Sequence, residues 1–325
     1  ACASALWINP ERDSTWQQVK TSGASLKLLC QDYGSYEFLQ SSGADVEFGA
    51  FPLAIGQSFE WILVNLPRQK ALLGMILDYA ASLLSSDGTL WLAGENKAGI
   101  KSAQKLLGQR FSRVRKLDNA RHCVLYEASG VSDDHSFDPD DYRLLWTLAR
   151  GPSTIQVASF PGVFAHGRLD SGTALLLDAL ATVDFNGDVL DFACGAGVIG
   201  AFIAAPYPGT RVNLLDTSAL ALMASEKTLA KNQLSATVLA GNGLSGLDAK
   251  FDFIVSNPPI HSGVRTDNHL SMRLLHSVHR HLKPQGVFIL VANIHLPYER
   301  WLSERFSTTR ELIANERYKV LLSKK

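Results

Sequence analysis

The chain has 325 residues, of which 46% are hydrophobic and 19% are charged, a balance that is typical of folded domains and excludes a disordered chain. Its 31 basic residues equal its 31 acidic residues, which excludes a global positive charge as the means of holding a polyanion such as RNA. The length predicts two domains of similar size.

Neither a membrane span nor an export signal is predicted. The longest apolar stretches, such as Ala71 to Leu84 with its Gly74 and Asp78, are too short or too interrupted to cross a bilayer, and the first residues lack a signal pattern. The four cysteines show neither a CxxC motif nor the spacing of zinc ligands. We therefore expect a soluble, cytoplasmic protein that holds no metal and contacts no membrane.

An internal repeat is the clearest sign of domain organisation. The segment Phe59 to Pro67 lies over Phe251 to Pro259 without a gap, with aromatic, acidic, Asn and final Pro residues at matching positions. Two further matches follow in the same order, 87–93 with 285–291 and 121–125 with 317–321. We interpret the three matches as a duplication, with chance similarity between apolar strands as the alternative.

Short apolar runs alternate with longer helical segments in each half, which is the pattern of parallel sheets covered by helices. In the second half, strands are predicted at 188–192, 211–215, 236–239, 251–255, 286–292 and 318–322. Helices are predicted to begin near Val198, Ala219 and Asp267. The predicted fold is α/β, with two tandem Rossmann-like domains at 1–130 and 161–325 and a linker at 131–160, where glycines, prolines and acids interrupt the periodicity.

A buried strand, a glycine-rich turn and a helix start follow one another from Val189 to Gly200. Gly195 and Gly197 allow the backbone to turn tightly and to approach a ligand without a Cβ in the way. The pattern Gly195-x-Gly197-x-x-Gly200 suits a dinucleotide as well as S-adenosylmethionine, and a purely structural turn is the alternative.

Two carboxylates near this turn are candidate cofactor ligands. Asp191 ends the first strand, where it could reach the methionine end of S-adenosylmethionine, and Asp216 ends the next strand, where it could accept both ribose hydroxyls. Asp216 would serve NAD equally well.

Three further residues are candidate cofactor contacts. Asn242 follows the third strand, where its side chain could meet the adenine edge, although ordinary turn chemistry explains it almost as well. Asp170 and Thr173 stand near a helix start, in a segment that could close over the cofactor, and a helix N-cap is the alternative.

The run Ser256-Asn257-Pro258-Pro259-Ile260 favours one of these interpretations. A proline pair ends a strand in a rigid turn, which would present the Asn257 side-chain oxygen and the Pro258 carbonyl as two fixed acceptors. An exocyclic amine that donates to both would direct its nitrogen lone pair at a sulfonium methyl group. We therefore predict amine methylation, because an NAD-dependent oxidoreductase would give this corner no role. A simple strand cap is the remaining alternative.

These residues resemble the class I S-adenosylmethionine methyltransferases, and more closely a bacterial family of two-domain ribosomal RNA guanine-N2 methyltransferases. The resemblance covers nearly the whole chain. It is carried by 161–164 with 169–172, by 190–198, by 256–259 with His261, by 291–293 with 296–298 and, in the first half, by 94–99.

The resemblance implies S-adenosylmethionine as the cofactor and ribosomal RNA or the small ribosomal subunit as the partner, with guanine 1207 of 16S rRNA as the expected target. It implies cofactor contacts from Asp191, Gly195, Gly197, Asp216 and Asn242, and a catalytic corner of Asn257, Pro258, Pro259 and Ile260. Two positions depart from the family pattern: Ala193 replaces a common glycine, and Ile260 replaces an aromatic residue that stacks on the target base. Another planar amine, in large-subunit RNA, adenine or protein glutamine, is the alternative substrate.

The first half is predicted to be a degenerate copy without a cofactor site. The segment Leu28 to Gly34 has one glycine, and Asn65-Leu66-Pro67 lacks the first proline of the corner. This half could stabilise the active half or bind RNA through Arg110, Arg113, Arg115 and Lys116, although a solvated helix end is the ordinary explanation of such a cluster. A chain in which both halves are inert RNA-binding domains is the last alternative.

Overall fold

The computed structural model describes residues 3–21, 23–53, 56–131, 136–150, 153–258 and 277–325. The chain forms two compact units, Ala1–Arg143 and Leu144–Lys325. The helix start predicted near Asp267 lies outside the described residues. None of the helices in the described ranges is long and apolar enough to span a membrane.

The first unit is built on a seven-stranded sheet. Its strands are β1 (Ser4–Ile8), β2 (Ser25–Cys30), β3 (Val46–Phe48), β4 (Phe59–Asn65), β5 (Leu84–Glu95), β6 (Phe111–Ala120) and β7 (Cys123–Val131). Its α-helices are α1 (Thr15–Thr21), α2 (Tyr33–Ser41), α3 (Lys70–Leu83) and α4 (Ala103–Leu107). The strand order is β3-β2-β1-β4-β5-β7-β6, and only the pairs that involve β7 are antiparallel.

The second unit repeats this sheet after a hairpin of β8 (Leu144–Arg150) and β9 (Ser153–Ser159). Its strands are β10 (Asp188–Phe192), β11 (Arg211–Asp216), β12 (Thr237–Ala240), β13 (Phe251–Ser256), β14 (Leu282–Asn293), β15 (Thr308–Ala314) and β16 (Tyr318–Lys324). Its helices include α5 (Ser171–Leu180), α6 (Val198–Ala204), α7 (Ala219–Lys231) and a short helix at Tyr298–Ser303. The strand order is β12-β11-β10-β13-β14-β16-β15.

The two sheets therefore share one topology, in which six strands run in the same direction and one strand, β7 in the first sheet and β16 in the second, runs antiparallel to its two neighbours. Even a local irregularity recurs, because the register of β4 shifts between Phe59 and Trp61 and that of β13 shifts between Phe251 and Phe253. The prediction of two tandem Rossmann-like α/β domains is confirmed.

The last of the three sequence matches is one residue out of register with the sheets. The sequence matches make Ala93 equivalent to Val291 and Leu125 equivalent to Leu321. In the sheets, Ala93 pairs with Leu125, but Val291 pairs with Val320 and not with Leu321. Adjacent apolar residues make the two registers look alike in sequence, although a shift of one residue moves a side chain to the opposite face of a sheet.

The segment 131–160, expected to be a linker, carries regular structure on both sides of the boundary between the units. A short 3-10 helix, Pro139–Tyr142, belongs to the first unit, where the Tyr142 hydroxyl donates to Asp78. In the second unit, β9 packs on α7, since Thr228 Oγ1 accepts from Ala158 N at 3.0 Å and Asn232 Nδ2 donates to the Gln156 carbonyl at 2.7 Å.

Candidate active site

The pairing of β10 with β13 positions the site. Phe192 lies beside Ser256 in the parallel ladder, and the Ser256 hydroxyl donates to the Phe192 carbonyl at 2.8 Å. The glycine-rich turn follows Phe192, and Asn257 follows Ser256. The two motifs therefore emerge side by side at the carboxyl edge of the sheet, where open α/β sheets bind their ligands.

The glycine-rich turn uses left-handed backbone at Ala193, Gly195 and Gly197, with φ angles of 59°, 56° and 74°. A Cβ on Gly195 would have open space around it, whereas a Cβ on Gly197 would lie 3.0 Å from the Ser225 hydroxyl on α7. Gly195 therefore faces a space that a ligand can enter, and Gly197 permits close packing of the turn on α7. The left-handed conformation of Ala193 costs about 1 kcal/mol relative to glycine, which accounts for glycine at this position in the resembling family.

Asp191 braces the turn from inside the sheet. It is completely buried, and its Oδ2 accepts from the Gly200 backbone N–H at 2.8 Å. Its Oδ1 is also buried and has no hydrogen-bond partner among the described residues. Burial raises the pKa of this carboxyl to about 7, and the nearby Asp216 charge adds to the rise.

Asp216 holds the turn from the neighbouring strand. Its Oδ2 accepts from Gly195 N and its Oδ1 accepts from Ser218 N, both at 2.9 Å. These bonds of Asp191 and Asp216 are made with the backbone, and their direct contacts with a cofactor stay predictions.

Asn257 is held by the start of α5. Its side-chain Nδ2 donates to Thr173 Oγ1 at 2.8 Å and to Asp170 Oδ2 at 3.2 Å. Asp170 is also the N-cap of α5, because the same Oδ2 accepts from Thr173 N at 2.9 Å. Asp170 and Thr173 therefore cap a helix and orient Asn257, a combination that neither sequence-based alternative had predicted.

An open cleft joins these elements. Four of the predicted site residues line it, namely Asp170, Thr173, Gly195 and Asn257. It is completed by Trp146, Phe164, Ala165, Arg168, Leu169, Ala193, Cys194, Ala196, Val198 and Ile199. Trp146 was missed in the sequence because it lies in the segment expected to be a linker.

The remaining predicted residues are placed differently. Asp191, Gly197, Asp216 and Asn242 are not among the described residues that line the cleft. Pro258 is buried directly after Asn257, whereas Pro259 and Ile260 lie outside the described residues.

The four predicted RNA-binding residues do not form one cluster. Arg110 donates to both Asp78 oxygens, at 2.7 and 2.5 Å, and is largely buried, so its inclusion in an exposed patch was wrong. Arg113, Arg115 and Lys116 are exposed on β6, which is the edge strand of the sheet and not a helix end.

The first unit has different side chains at the positions equivalent to the two carboxylates of the site. The strand pairings of the two sheets identify the equivalent positions. Trp7 on β1 stands where the second unit has Asp191, and Cys30 on β2 stands where it has Asp216. The Trp7 indole N–H donates to Asn65 Oδ1, the counterpart of the Asn257 oxygen, at 3.0 Å. The turn equivalent to the glycine-rich one begins at Asn9, with a φ of 55°, and not within Leu28 to Gly34 as the sequence had indicated.

Comparisons with known proteins agree with this architecture. The methyltransferase small domain family matches residues 154–322, and the N-terminal domain of the same family matches residues 2–144. A Shewanella amazonensis protein named ribosomal RNA small subunit methyltransferase C is 37% identical over 322 residues, which is 98% of this chain and 94% of that protein. The chain belongs to the ribosomal RNA small subunit methyltransferase C family.

Other relatives agree with this family membership. A protein of the same name from Alteromonas mediterranea is 42% identical over 256 residues, 79% of this chain and 71% of that protein. The structure of the T. thermophilus 16S rRNA N2 G1207 methyltransferase, in complex with AdoMet and guanosine, matches with a TM-score of 0.86 and 25% identity, over 100% of this chain and 88% of that one. The resemblance drawn from the sequence motifs is confirmed, and the chain is a class I methyltransferase of two domains.

The buried carboxyl of Asp191 predicts a pH dependence of stability. Its pKa is raised in the folded state from an ordinary value of 3.8 to about 7, so the folded protein binds this proton more tightly than the unfolded chain. Stability contributed by the protonated carboxyl is therefore lost as the pH rises through this interval, by at most about 1.4 kcal/mol per pH unit. Asp191→Asn keeps an acceptor for Gly200 and removes the titration.

Urea unfolding of both proteins at pH values from 4.5 to 8.5 checks this. The free energy of unfolding of wild type, taken relative to Asp191→Asn, is expected to fall towards pH 7 and then to level off. A difference that stays constant over the whole range would contradict the raised pKa.

Proposed function

We propose that this chain transfers a methyl group from S-adenosylmethionine to the exocyclic N2 amine of a guanine in small-subunit ribosomal RNA, at the position of guanine 1207 of 16S rRNA. The observation that carries the proposal is the fixed orientation of Asn257 beside the glycine-rich turn. The names of the relatives and the AdoMet and guanosine bound to the T. thermophilus enzyme support the cofactor and the base. A ribosomal RNA substrate implies action in the cytoplasm.

The residues present fit this cofactor. Gly195 opens onto the cleft without steric hindrance, and the unpartnered Asp191 Oδ1 is a buried acceptor behind the turn. The residues proposed to hold the cofactor are Gly195, Gly197, Asp170, Thr173, Asp191, Asp216 and Asn242. When bound, S-adenosylmethionine supplies an electrophilic methyl group on a sulfonium.

Asn257 orients the target amine. Because its Nδ2 is engaged by Thr173 and Asp170, the oxygen is the end of the amide that is turned away from α5. This oxygen and the Pro258 carbonyl are the proposed acceptors for the two hydrogens of a planar NH2 group, with Pro259 and Ile260 completing the corner. Catalysis is then mainly orientation and proximity. No side chain is required as a base, since the amine becomes acidic once it carries the methyl group and can release its proton to water.

Asn257→Ala is expected to lower kcat by about 100- to 1000-fold, the usual effect of removing one oriented polar contact to a reacting group. Thr173→Val keeps the shape of the side chain and removes one acceptor of the Asn257 amide, so a loss of about tenfold is expected. The measurement is methyl transfer from labelled cofactor to small subunits that lack the modification, followed by nucleoside analysis.

Asn65→Ala is the matched control, because Asn65 occupies the equivalent position of the first unit. It is expected to leave the transfer rate within about threefold of wild type in preparations whose folding is verified by circular dichroism. Formation of N2-methylguanosine at the wild-type rate by Asn257→Ala would contradict the proposed role of the corner.

The first unit is proposed to bind no cofactor. Trp7 and Cys30 replace the two carboxylates, and the oxygen of Asn65 already accepts from Trp7. Both differences support the proposal, because they remove the two carboxylates and engage the amide oxygen within the first unit.

Isothermal titration of the full chain is expected to give a stoichiometry of one S-adenosylmethionine. Asp216→Ala removes the carboxylate that holds Gly195 and faces the proposed ribose site, so it is expected to weaken binding at least tenfold. Two equivalents bound would place a cofactor in the first unit, and one equivalent that binds unchanged in Asp216→Ala would contradict the proposed role of Asp216.

The proposed phosphate contacts are Arg113, Arg115 and Lys116 on β6. Arg110 is left out because it is largely buried in an ion pair with Asp78. Arg115 is 72% exposed although its Nε donates to Glu127 at 2.7 Å, so its charge remains accessible to a polyanion. Charged side chains also protect edge strands from aggregation, and this is the competing explanation.

Charge reversal of Arg113 and Arg115 to glutamate is expected to weaken binding of the small subunit. The slope of log affinity against log salt concentration should fall by about one for each phosphate that the variant no longer neutralises. Arg113→Lys with Arg115→Lys keeps the charge and serves as the control. An unchanged affinity of the glutamate variant at every salt concentration would remove this patch from the RNA interface.

A further inference from the structure

Phe164 is the most exposed large hydrophobic side chain among the described residues, with 63% of its surface accessible. It lines the same cleft as Asn257 and Thr173. An aromatic ring left in water beside a cleft forgoes the favourable burial of its apolar surface. The position therefore calls for an explanation in terms of what the ring covers.

The exposure of Phe164 is imposed by a constrained turn. Its neighbours Phe160 and Val163 are buried, with exposures of 0% and 3%, and they anchor the backbone on the side that precedes the ring. Ala165, directly after it, is in the left-handed conformation with a φ of 53°. For a non-glycine residue this conformation is strained, and such strain persists where the surrounding structure determines it and is concentrated at functional sites.

Hydrogen bonds complete this constraint. The Ser159 hydroxyl accepts from Gly167 N at 3.0 Å and lies 3.0 Å from His166 Nδ1, and Arg168 N donates to the Ala165 carbonyl at 3.0 Å. The turn from 160 to 168 is thus tied to the end of β9. Its geometry keeps the ring out of the core and in the cleft.

The chemistry of the site calls for an aromatic face at this place. A guanine whose amine is held at Asn257 must expose its flat faces to the surrounding cleft, and the corner Asn257-Pro258-Pro259-Ile260 contains no aromatic residue. Two aromatic side chains are found among the described residues that line the cleft, Trp146 and Phe164. Trp146 is half-buried and its indole nitrogen is inaccessible, whereas Phe164 is 63% exposed, so Phe164 presents the more accessible ring to the cleft.

We infer that Phe164 is the residue that stacks on the target guanine and so determines that a base is accepted at this site. The inference rests on the proposed function and adds a specificity-determining contact to it. The ring supplies the π-face, and Asn257 supplies the acceptor for the amine.

Three substitutions test the contact. Stacking of a base on an aromatic ring is worth about 1–3 kcal/mol, so Phe164→Ala is expected to lower kcat/KM for small subunits by about 5- to 160-fold. Phe164→Leu keeps the apolar volume but not the π-face and is expected to remain at least fivefold low, whereas Phe164→Tyr should stay within about threefold of wild type. Affinity for S-adenosylhomocysteine, measured by isothermal titration, should change less than twofold in all three.

Phe38→Ala is the control, since Phe38 is an exposed phenylalanine of the first unit, with 43% accessibility. It is expected to leave both quantities unchanged. Full activity of Phe164→Leu would overturn the inference, because apolar volume alone would then suffice. A loss of cofactor affinity in parallel with the loss of transfer would also overturn it, since the ring would then cover the cofactor.

A second measurement separates this inference from the proposed function. Binding of guanosine to the protein saturated with S-adenosylhomocysteine can be followed by ligand-detected NMR, and Phe164→Ala is expected to abolish it. If wild type methylates no ribosomal guanine but binds guanosine in a Phe164-dependent manner, the proposed function fails and the stacking contact stands. If wild type forms N2-methylguanosine and Phe164→Ala does so at the same rate, the stacking contact fails and the proposed function stands.

Discussion

The register between β10 and β13 is the constraint on which the site depends. Val189 and Leu190 on one strand and Ile254 and Val255 on the other are completely buried, so the core fixes how the strands align. Side chains alternate between faces, and a slip of one residue would turn the apolar set of a strand to the wrong side. This register brings the glycine-rich turn and Asn257 to neighbouring strand ends, where both line one cleft.

The second requirement is that the Asn257 amide points one way. An amide has a donor end and an acceptor end, and only its partners decide which end faces a substrate. Asp170 and Thr173 accept from the nitrogen, and α5 behind them is fixed by buried leucines at 175–177. The orientation of the Asn257 amide at the edge of the sheet therefore depends on the packing of α5.

Local features of this fold were predictable from sequence. The strand Asp188–Phe192 and the helix starts at Val198 and Ala219 were predicted to the residue, because continuous apolar runs and glycine or serine caps mark them. The strand Thr308–Ala314 was missed because it is a largely exposed edge strand without an apolar pattern.

Interactions between distant residues were not predictable in this way. Arg110 had the composition of a surface patch, but its partner Asp78 is 32 residues away and draws it out of solvent. The bond from Trp7 to Asn65 spans 58 residues, and no local pattern indicates it. The bonds from Asn257 to Asp170 and Thr173 span more than 80 residues, so the sequence offered a helix cap or a cofactor contact and could not show that the same residues orient the Asn257 amide.

The two copies differ in how their polar atoms at the sheet edge are satisfied. In the first unit, the large indole of Trp7 fills the place of a carboxylate, and its N–H requires an acceptor when buried, which Asn65 provides. Retention of that asparagine therefore has a structural reason and is no sign of activity. In the second unit, the equivalent position keeps a buried carboxylate oxygen without a partner among the described residues, at a cost in stability that an apolar replacement would avoid. The first unit therefore satisfies the polar atoms at its sheet edge with its own side chains, whereas the second unit keeps a buried acceptor behind the glycine-rich turn without a partner among the described residues.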